Sequence, residues 1–240
     1  MKWEKIICLA KSRKIGGYCI AGKEINSGEW VRPTSTRTTE EISEIECKLS
    51  NGKEIQVLDI VKVPFTKHKP NKFQTENYLI TSGYNWQYID KFDYKNLERI
   101  CDFPENLWVI DDCLDCSSPY GKNDRIPENV GDNFDKSLYL ITPDYLKIFI
   151  RTEYSETKYS KKRLRANFGY NKTDYVLAIT DVFLEQYLLS REEAIYEIKN
   201  PKNRLYMCVS IGLPYERYCY KFVASIIPYE VVLKELRKIG

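Results

Sequence analysis

The sequence has few of the residues that most catalytic sites need. It contains a single histidine, His68, in a polar basic stretch. Metal-dependent hydrolases need several histidines or clustered carboxylates, and the GxSxG, GxGxxG and P-loop patterns are all missing. We therefore predict no catalytic residue, no metal ligand and no cofactor. A metal-dependent nuclease built on the local acidic cluster Asp111, Asp112 and Asp115 remains open as an alternative.

Long apolar runs are also missing. No run approaches the roughly 20 residues that a membrane-spanning helix needs, and the mean hydropathy is −0.48. The chain starts with Met1-Lys2-Trp3-Glu4 rather than with the apolar segment of a signal peptide. These features predict a soluble cytoplasmic protein with no membrane partner.

Cysteine, in contrast, is present at eight positions. In a chain without a secretory signal these residues are expected to be reduced. Only Cys113 and Cys116 form a CxxC pattern. A closed zinc site needs four ligands, usually from two such pairs, so no structural zinc is predicted.

Short alternating apolar runs dominate the first half of the chain and predict strands. A capping-box pattern at Thr38 and Glu41 precedes Ile42, Ile45 and Leu49, which have helical spacing. The predicted order is therefore three strands, a helix and two strands. The five strands lie near Lys5–Ala10, Tyr18–Lys23, Glu29–Arg32, Glu54–Pro64 and Asn77–Thr81.

The second half repeats this order. A helical region is predicted from about Phe183, including a second capping box at Ser190–Glu193, and a C-terminal helix runs from Pro228 through Leu236. The predicted strands are Tyr145–Thr152, Arg163–Gly169, Tyr175–Thr180, Leu205–Ile211 and Cys219–Ile227.

Three strands, a helix and two strands is the element order of the OB-fold, a small five-stranded barrel. We predict a mostly β (α+β) protein: two OB-like five-stranded barrels with short helices and a C-terminal helix. The predicted domains are 1–111 and 137–240, with an acidic connecting loop at 112–136. A pair of SH3-like or PUA-like barrels could give a similar pattern.

Charge is unevenly distributed although the net charge is only +3. Lys2–Arg37 contains eight basic and three acidic residues, and Arg151–Tyr170 contains six and two. Asp102–Asp135 reverses the balance, with nine acidic and two basic residues. Two basic segments thus flank an acidic one, which suits an anionic partner but is also compatible with ordinary solvated surface.

The first basic segment contains a hairpin loop with adjacent glycines, which suits phosphate because arginine and lysine donate to it and glycine exposes backbone N–H groups. On the strand that follows, Trp30 and Arg32 share a face and could form a stacking platform. The competing interpretations are a solvated loop and a core Trp30 with Arg32 reaching outward. Predicted ligand-binding residues here are Lys11, Ser12, Arg13, Lys14, Trp30, Arg32 and Arg37.

The second basic segment predicts a strand with Arg163, Arg165 and Asn167 on one face and Leu164, Ala166 and Phe168 on the core face. Tyr170 follows as a stacking residue. In the acidic loop, Arg125 is predicted to contact ligand as the loop closes, although an Asn/Asp turn stabilised by its own side chains is the alternative.

Two blocks resemble a known family. ICLAKSRKIGGYCIAGKE with WVRP, and RLRANFGYNKTDYVLAITDV, resemble the dual-OB-domain proteins of prokaryotes, which often occur with conflict or defence systems. Val182 follows the Thr180-Asp181 step where proline is expected. The resemblance implies two OB domains and a nucleic-acid or nucleotide-binding role, and it supplies no catalytic residues.

Together these observations predict a non-catalytic protein that binds nucleic acid, single-stranded or structured, or a nucleotide. The family resemblance implies a context in a prokaryotic defence system. The first alternative is a small-nucleotide sensor or an adaptor for a partner protein. The second is the nuclease mentioned above.

Overall fold

The computed structural model describes residues 1–110, 113–131, 133–199, 201–202 and 204–237. The chain forms two compact units. The first comprises Met1–Ile100 with Asp135–Ser137, and the second comprises Cys101–Phe134 with Leu138–Gly240. The domain boundaries expected from the sequence stay a prediction.

The first unit is a closed five-stranded barrel. Its strands follow the order β1-β2-β3-β5-β4, and β4 pairs back with β1, so the sheet closes. Only the β3–β5 pair is parallel, and β6 extends the sheet beyond β4. This is the OB-type barrel that the sequence predicts. The strands are β1 (Lys2–Lys14), β2 (Gly17–Glu24), β3 (Trp30–Thr34), β4 (Asp59–His68), β5 (Asn77–Ile80) and β6 (Gln87–Lys91).

Closure depends on the length of β1. Its first half pairs with β4, from Lys2 opposite Phe65 to Ile7 opposite Ile60. From Ile6 onward it pairs with β2, with a register shift between Cys8 and Ala10. A bulge of this kind bends a strand and increases its twist, which lets one strand serve two neighbours. The alternating side chains Val61, Val63 and Phe65 on β4 are buried in the core.

The helix predicted over Ile42–Leu49 is wrong. That segment contains turns and isolated bridges, with Ile42 opposite Tyr18 and Leu49 parallel to Trp86. Ser43 donates from its backbone N–H and its hydroxyl to the Glu46 carboxylate. Such local side-chain bonds compete with helix formation. Ile42 and Leu49 are buried without a helix, whereas Ile45 is 81% exposed.

The second unit contains eight strands and three short helices within its described residues. The sheet order is β12-β9-β10-β11-β14-β13-β8, and β7 pairs with β14. The strands are β7 (Arg125–Pro127), β8 (Leu138–Ile141), β9 (Tyr145–Glu153), β10 (Lys161–Tyr170), β11 (Thr173–Ile179), β12 (Ala194–Ile198), β13 (Tyr206–Ile211) and β14 (Tyr218–Ile227); the helices are α1 (Glu128–Gly131), α2 (Val182–Leu188) and α3 (Tyr229–Leu236). Helix α3 confirms the predicted C-terminal helix.

The second unit repeats the strand pairing of the first, except that two strands take the place of the fourth strand. Strand β11 pairs in parallel with β14, as β3 pairs with β5. In the first unit, β4 pairs with both β1 and β5. In the second unit two strands make the corresponding pairs, because β12 pairs with β9 and β13 pairs with β14. The remaining strand, β8, adds to the outer side of β13.

The second capping box does not begin a helix, so this part of the prediction is wrong. Helix α2 ends at Leu188, and Ala194–Ile198 is strand β12. Glu193 accepts a hydrogen bond from the backbone N–H of Thr152 at 2.9 Å, on strand β9. The carboxylate that would close a capping box instead ties this segment to the sheet edge.

Asp181 connects three elements of the second unit. It is fully buried and is the N-cap of α2, where its Oδ1 accepts from the N–H of Leu184 at 3.1 Å. It also accepts from the N–H of Ile226 on β14 and from the hydroxyl of Tyr229 on α3. Burial raises the pKa of this carboxyl to about 7.

We expect Asp181→Ala to lower the free energy of unfolding of the second unit by roughly 2–4 kcal/mol, because a helix cap and two buried donors lose their acceptor. The matched control is Asp144→Ala, which removes an exposed carboxylate 3.2 Å from Lys202 Nζ. The control should change stability by less than about 0.5 kcal/mol. Denaturant unfolding measures both, and equal effects would contradict the assigned role.

Candidate functional site

The hairpin residues of the first unit divide between core and surface. Lys11 and Ser12 are buried. Lys11 Nζ lies 3.0 Å from Glu54 Oε2 and 4.3 Å from the ring centroid of Tyr18. Arg13 is exposed and Lys14 is half-buried at the end of β1. Of the predicted loop cations, Lys11 thus has an intramolecular carboxylate partner.

Gly17 is required by packing. A Cβ atom built at this position would lie 2.4 Å from the carbonyl oxygen of Ile42. Tyr18 and Ile42 exchange backbone hydrogen bonds beside it. This close approach accounts for the glycine without a ligand.

Trp30 and Arg32 are both buried, so they do not form the solvent-facing platform expected from the sequence. Lys23 Nζ lies 5.2 Å from the ring centroid of Trp30. Arg32 Nη2 lies 2.9 Å from Glu76 Oε1 and donates to the hydroxyl of Ser137 at 2.7 Å. Partners far along the chain cover this face, and strand alternation alone cannot reveal them.

Arg37 is exposed but is paired with carboxylates. Its Nε lies 3.6 Å from Glu41, and its Nη1 contacts Glu46. Both interactions raise the pKa of the guanidinium, with the Glu46 hydrogen bond as the largest cause. The positive charge of Arg37 is therefore largely compensated within its own loop.

In the second unit, one buried carboxylate attracts three arginines. Glu153 is 1% exposed, and its oxygens lie 2.5 Å from Arg165 Nε, 3.6 Å from Arg163 Nε and 3.7 Å from Arg151 Nε. Arg165 is also buried and reaches Asp124 at 3.3 Å. Arg165 is thus enclosed in an ion network, contrary to the expected solvent-facing position. The burial of Leu164, Ala166 and Phe168 confirms the core face of this strand.

Arg151 and Arg163 stand directly opposite each other on β9 and β10. Directly opposed residues of an antiparallel pair lie on the same face, where like charges destabilise the sheet. Both arginines share the buried Glu153 as an ion-pair partner, and Nε of Arg151 has no hydrogen-bond partner among the described residues. This face therefore carries an excess of positive charge.

A loop of the second unit covers one side of Arg151. Asp124 anchors the loop by accepting from the N–H and the hydroxyl of Ser118, at 2.7 and 2.6 Å. The loop brings Tyr120 to Arg151, which donates to the Tyr120 carbonyl oxygen at 2.5 Å. The rings of Tyr120 and Tyr154 form an edge contact with centroids 5.0 Å apart.

The hairpin loop between β9 and β10 exposes two aromatic rings. Tyr159 is 70% exposed and Tyr154 is 42% exposed. Lys158 Nζ lies 5.2 Å from the ring centroid of Tyr159. The cations and rings around this loop form one patch, which we name the hairpin surface: Arg151, Tyr154, Lys158, Tyr159, Lys161 and Arg163.

Five members of the hairpin surface were not predicted as site residues: Arg151, Tyr154, Lys158, Tyr159 and Lys161. A signal for them was present, because the six-to-two basic excess of Arg151–Tyr170 includes this loop. Two tyrosines in a polar turn between alternating strands have no core face to occupy. Strand alternation assigns residues to a face only within a strand, so it does not identify the residues of the loop.

The other predicted residues of this unit have internal partners. Asn167 accepts from the hydroxyl of Tyr145 at 3.2 Å. Tyr170 is buried and donates to the carbonyl of Pro104 at 2.8 Å, so its ring is not open for stacking. Burial raises the pKa of its hydroxyl to about 12.

Arg125 lies beside the CxxC segment. Its guanidinium carbon is 3.9 Å from the ring centroid of Tyr218, and its Nε donates to the Asp115 carbonyl at 2.8 Å. Cys113 and Cys116 form a disulfide, which corrects the expectation that all cysteines are reduced. The other six are free.

The nuclease alternative depends on the acidic cluster Asp111, Asp112 and Asp115. Asp111 and Asp112 lie outside the described residues. Across the described ranges, no group of three or more His, Cys, Asp or Glu side chains could hold a metal ion. His68 is exposed, with Nε2 2.5 Å from the carbonyl oxygen of Thr75.

No helix in the described part of the chain is long and apolar enough to cross a membrane.

Comparison with protein families gives one match. A family model described as a dual OB-containing domain matches residues 4–226, which is most of the chain. The comparison with curated proteins gives no match.

Lys221 lies under the loop that contains Asp124. It is 1% exposed, and its Nζ has no hydrogen-bond partner within the described residues. The ring centroid of Tyr175 lies 5.9 Å from Nζ. Burial lowers the pKa of this amine to about 7, and the charge of Asp124 opposes the shift.

We expect Lys221→Met to raise the thermal unfolding midpoint at pH 7, with a smaller gain at pH 10. Between pH about 7 and 10.5 the unfolded chain binds more protons at this site than the folded protein does, so wild-type stability rises with pH there. The midpoints of wild type, Lys221→Met and the control Lys147→Met, at a half-buried lysine of the same unit, test this. A gain that is equal at both pH values would contradict it.

Proposed function

The chain belongs to the dual OB-containing domain family, and from that membership we propose that it binds single-stranded nucleic acid, without catalysis, through the hairpin surface. The observation that carries the proposal is the paired Arg151 and Arg163 beside exposed tyrosines. Arg163 contacts phosphate. Arg165 is buried and does not contact the ligand, but it holds Glu153 in place.

The position of the hairpin surface supports this proposal. The loop at residues 154–160 joins the first and second strands of the second OB-like sheet, β9 and β10. In OB-folds, the loop between these strands is one of the two that hold oligonucleotides or oligosaccharides. The corresponding turn of the first unit, Ile15-Gly16, is only two residues long, because Lys14 pairs with Gly17.

Electrostatics favour a phosphate backbone as the ligand. Arginine presents a planar donor fork that matches phosphate oxygens. Glu153 is shared by three arginines, and exposed Lys161 lies directly opposite it on β10. A bound phosphate would relieve the repulsion between Arg151 and Arg163.

The aromatic rings favour a single strand over a duplex. Base–aromatic stacking contributes about 1–3 kcal/mol per base and requires an unstacked base face. Tyr159 offers a largely exposed ring beside the cation of Lys158. A protein that tracked duplex phosphates would need the cations but not these rings.

We expect a labelled oligonucleotide of about 16 nucleotides to bind with an affinity that falls steeply between about 50 and 200 mM salt. Lys161→Ala removes one phosphate contact, so it should weaken binding and reduce the slope of log affinity against log salt by about 0.7. Lys147→Ala, on β9 but outside the hairpin surface, is the matched control. Fluorescence anisotropy measures both quantities.

We expect Tyr159→Ala to weaken binding by about 1–3 kcal/mol while leaving the salt slope unchanged, because it removes stacking and not charge. Tyr215→Ala is the control, since Tyr215 is 65% exposed elsewhere in the same unit. Loss of affinity in both variants, or in neither, contradicts the assignment. Thermal stabilisation by mononucleotides without oligonucleotide binding would favour a nucleotide sensor instead.

A further inference from the structure

We propose that the Cys113–Cys116 disulfide is a redox-active site that controls the hairpin surface, with reduction weakening nucleic-acid binding. This inference rests on the proposed function and names its regulation. Its physical basis is a chain of contacts that leads from the disulfide to Arg151 within the second unit.

The first step joins the disulfide to Arg125. The backbone N–H of Arg125 donates to the Cys116 carbonyl at 3.3 Å, and its Nε donates to the Asp115 carbonyl at 2.8 Å. Both acceptors lie at or within the small ring that the disulfide closes. The ring therefore holds two carbonyls in the directions that Arg125 needs.

The second step joins Arg125 to the loop over Arg151. The bond from Arg125 to Cys116 closes the base of the segment 117–124. Inside that segment, Ser117 Oγ accepts from the N–H of Asn123, and Ser118 donates twice to Asp124. Loosening the base frees the end of the loop that carries Ser117 and Ser118.

The third step reaches the hairpin surface. Tyr120 accepts from Arg151 through its carbonyl and from the N–H of Tyr154 through its hydroxyl, at 2.5 and 3.0 Å. These two bonds orient one cation and one ring of the surface. The opposite end of the loop is held independently, because the Lys221 N–H donates to the Asp124 carbonyl and Lys122 pairs with Val176. Reduction should therefore change the surface locally without unfolding the unit.

The chemistry is thiol–disulfide exchange with a small-molecule thiol. Cys113 is half-buried and Cys116 is 4% exposed, so a thiolate attacks the Cys113 sulfur and Cys116 leaves as a thiolate that takes up a proton. A second thiol then attacks the sulfur of the first in the mixed disulfide. Cys113 is released as a thiol, and the two small thiols become one disulfide. Two electrons and two protons pass to the protein.

The test compares oxidised and thiol-reduced protein with the double variant Cys113→Ser with Cys116→Ser. Hydrogen exchange by mass spectrometry reports on the amides of 117–125 without any ligand, and anisotropy reports on oligonucleotide affinity. We expect reduction to speed this exchange and to weaken binding roughly five-fold or more, the lower end of typical coupling between sites. The double variant should match the reduced protein under both conditions.

The outcomes separate the two proposals. Unchanged exchange in 117–125 on reduction overturns the coupling to the loop. Faster exchange with unchanged affinity overturns the regulation. If neither form binds oligonucleotide, the proposed function fails and the regulation fails with it. The exchange result then shows separately whether the disulfide governs the loop. A redox response that persists in the double variant assigns the effect to another cysteine and overturns this site.

Discussion

The buried carboxylate of Glu153 is the constraint on which the candidate site depends. A carboxylate that is 1% exposed would be strongly unfavourable alone, and the Arg165 fork neutralises it. Replacing a buried ion pair by apolar side chains is often neutral for stability, but removing one partner is costly. The network therefore contributes more to the positions of these side chains than to the free energy of unfolding. It fixes where the strand end, the loop around Asp124 and the outer arginines must lie.

Arg163 and Arg165 show how one sequence pattern can lead to two outcomes. Both lie on the same face of β10, two residues apart, and the sequence treats them alike. Arg165 is buried because the loop that carries Asp124 covers it, whereas Arg163 remains exposed. The distinction is made by a segment about 40 residues earlier in the chain. One arginine thus becomes part of the scaffold that positions the other.

The strand pattern of both units follows from local alternation, and the OB-type class could be predicted from it. The helical interpretations around Glu41 and Glu193 failed because each carboxylate has a partner other than a helix N-terminus: Thr39 for the first and Thr152 for the second. Burial of Arg32 could not be predicted either, since it depends on Glu76 and Ser137. Periodicity identifies which face a residue occupies, but not what covers that face.

The first unit is discontinuous in the chain, since it includes Asp135–Ser137 beyond Ile100. The hydroxyl of Ser137 completes the environment of the buried Arg32–Glu76 pair. During synthesis, which proceeds at about 5–20 residues per second, Arg32 and Glu76 leave the ribosome several seconds before Ser137. A barrel that forms before Ser137 emerges therefore buries this ion pair without one of its hydrogen-bond partners, and the intervening chain must be synthesised before the unit can be completed.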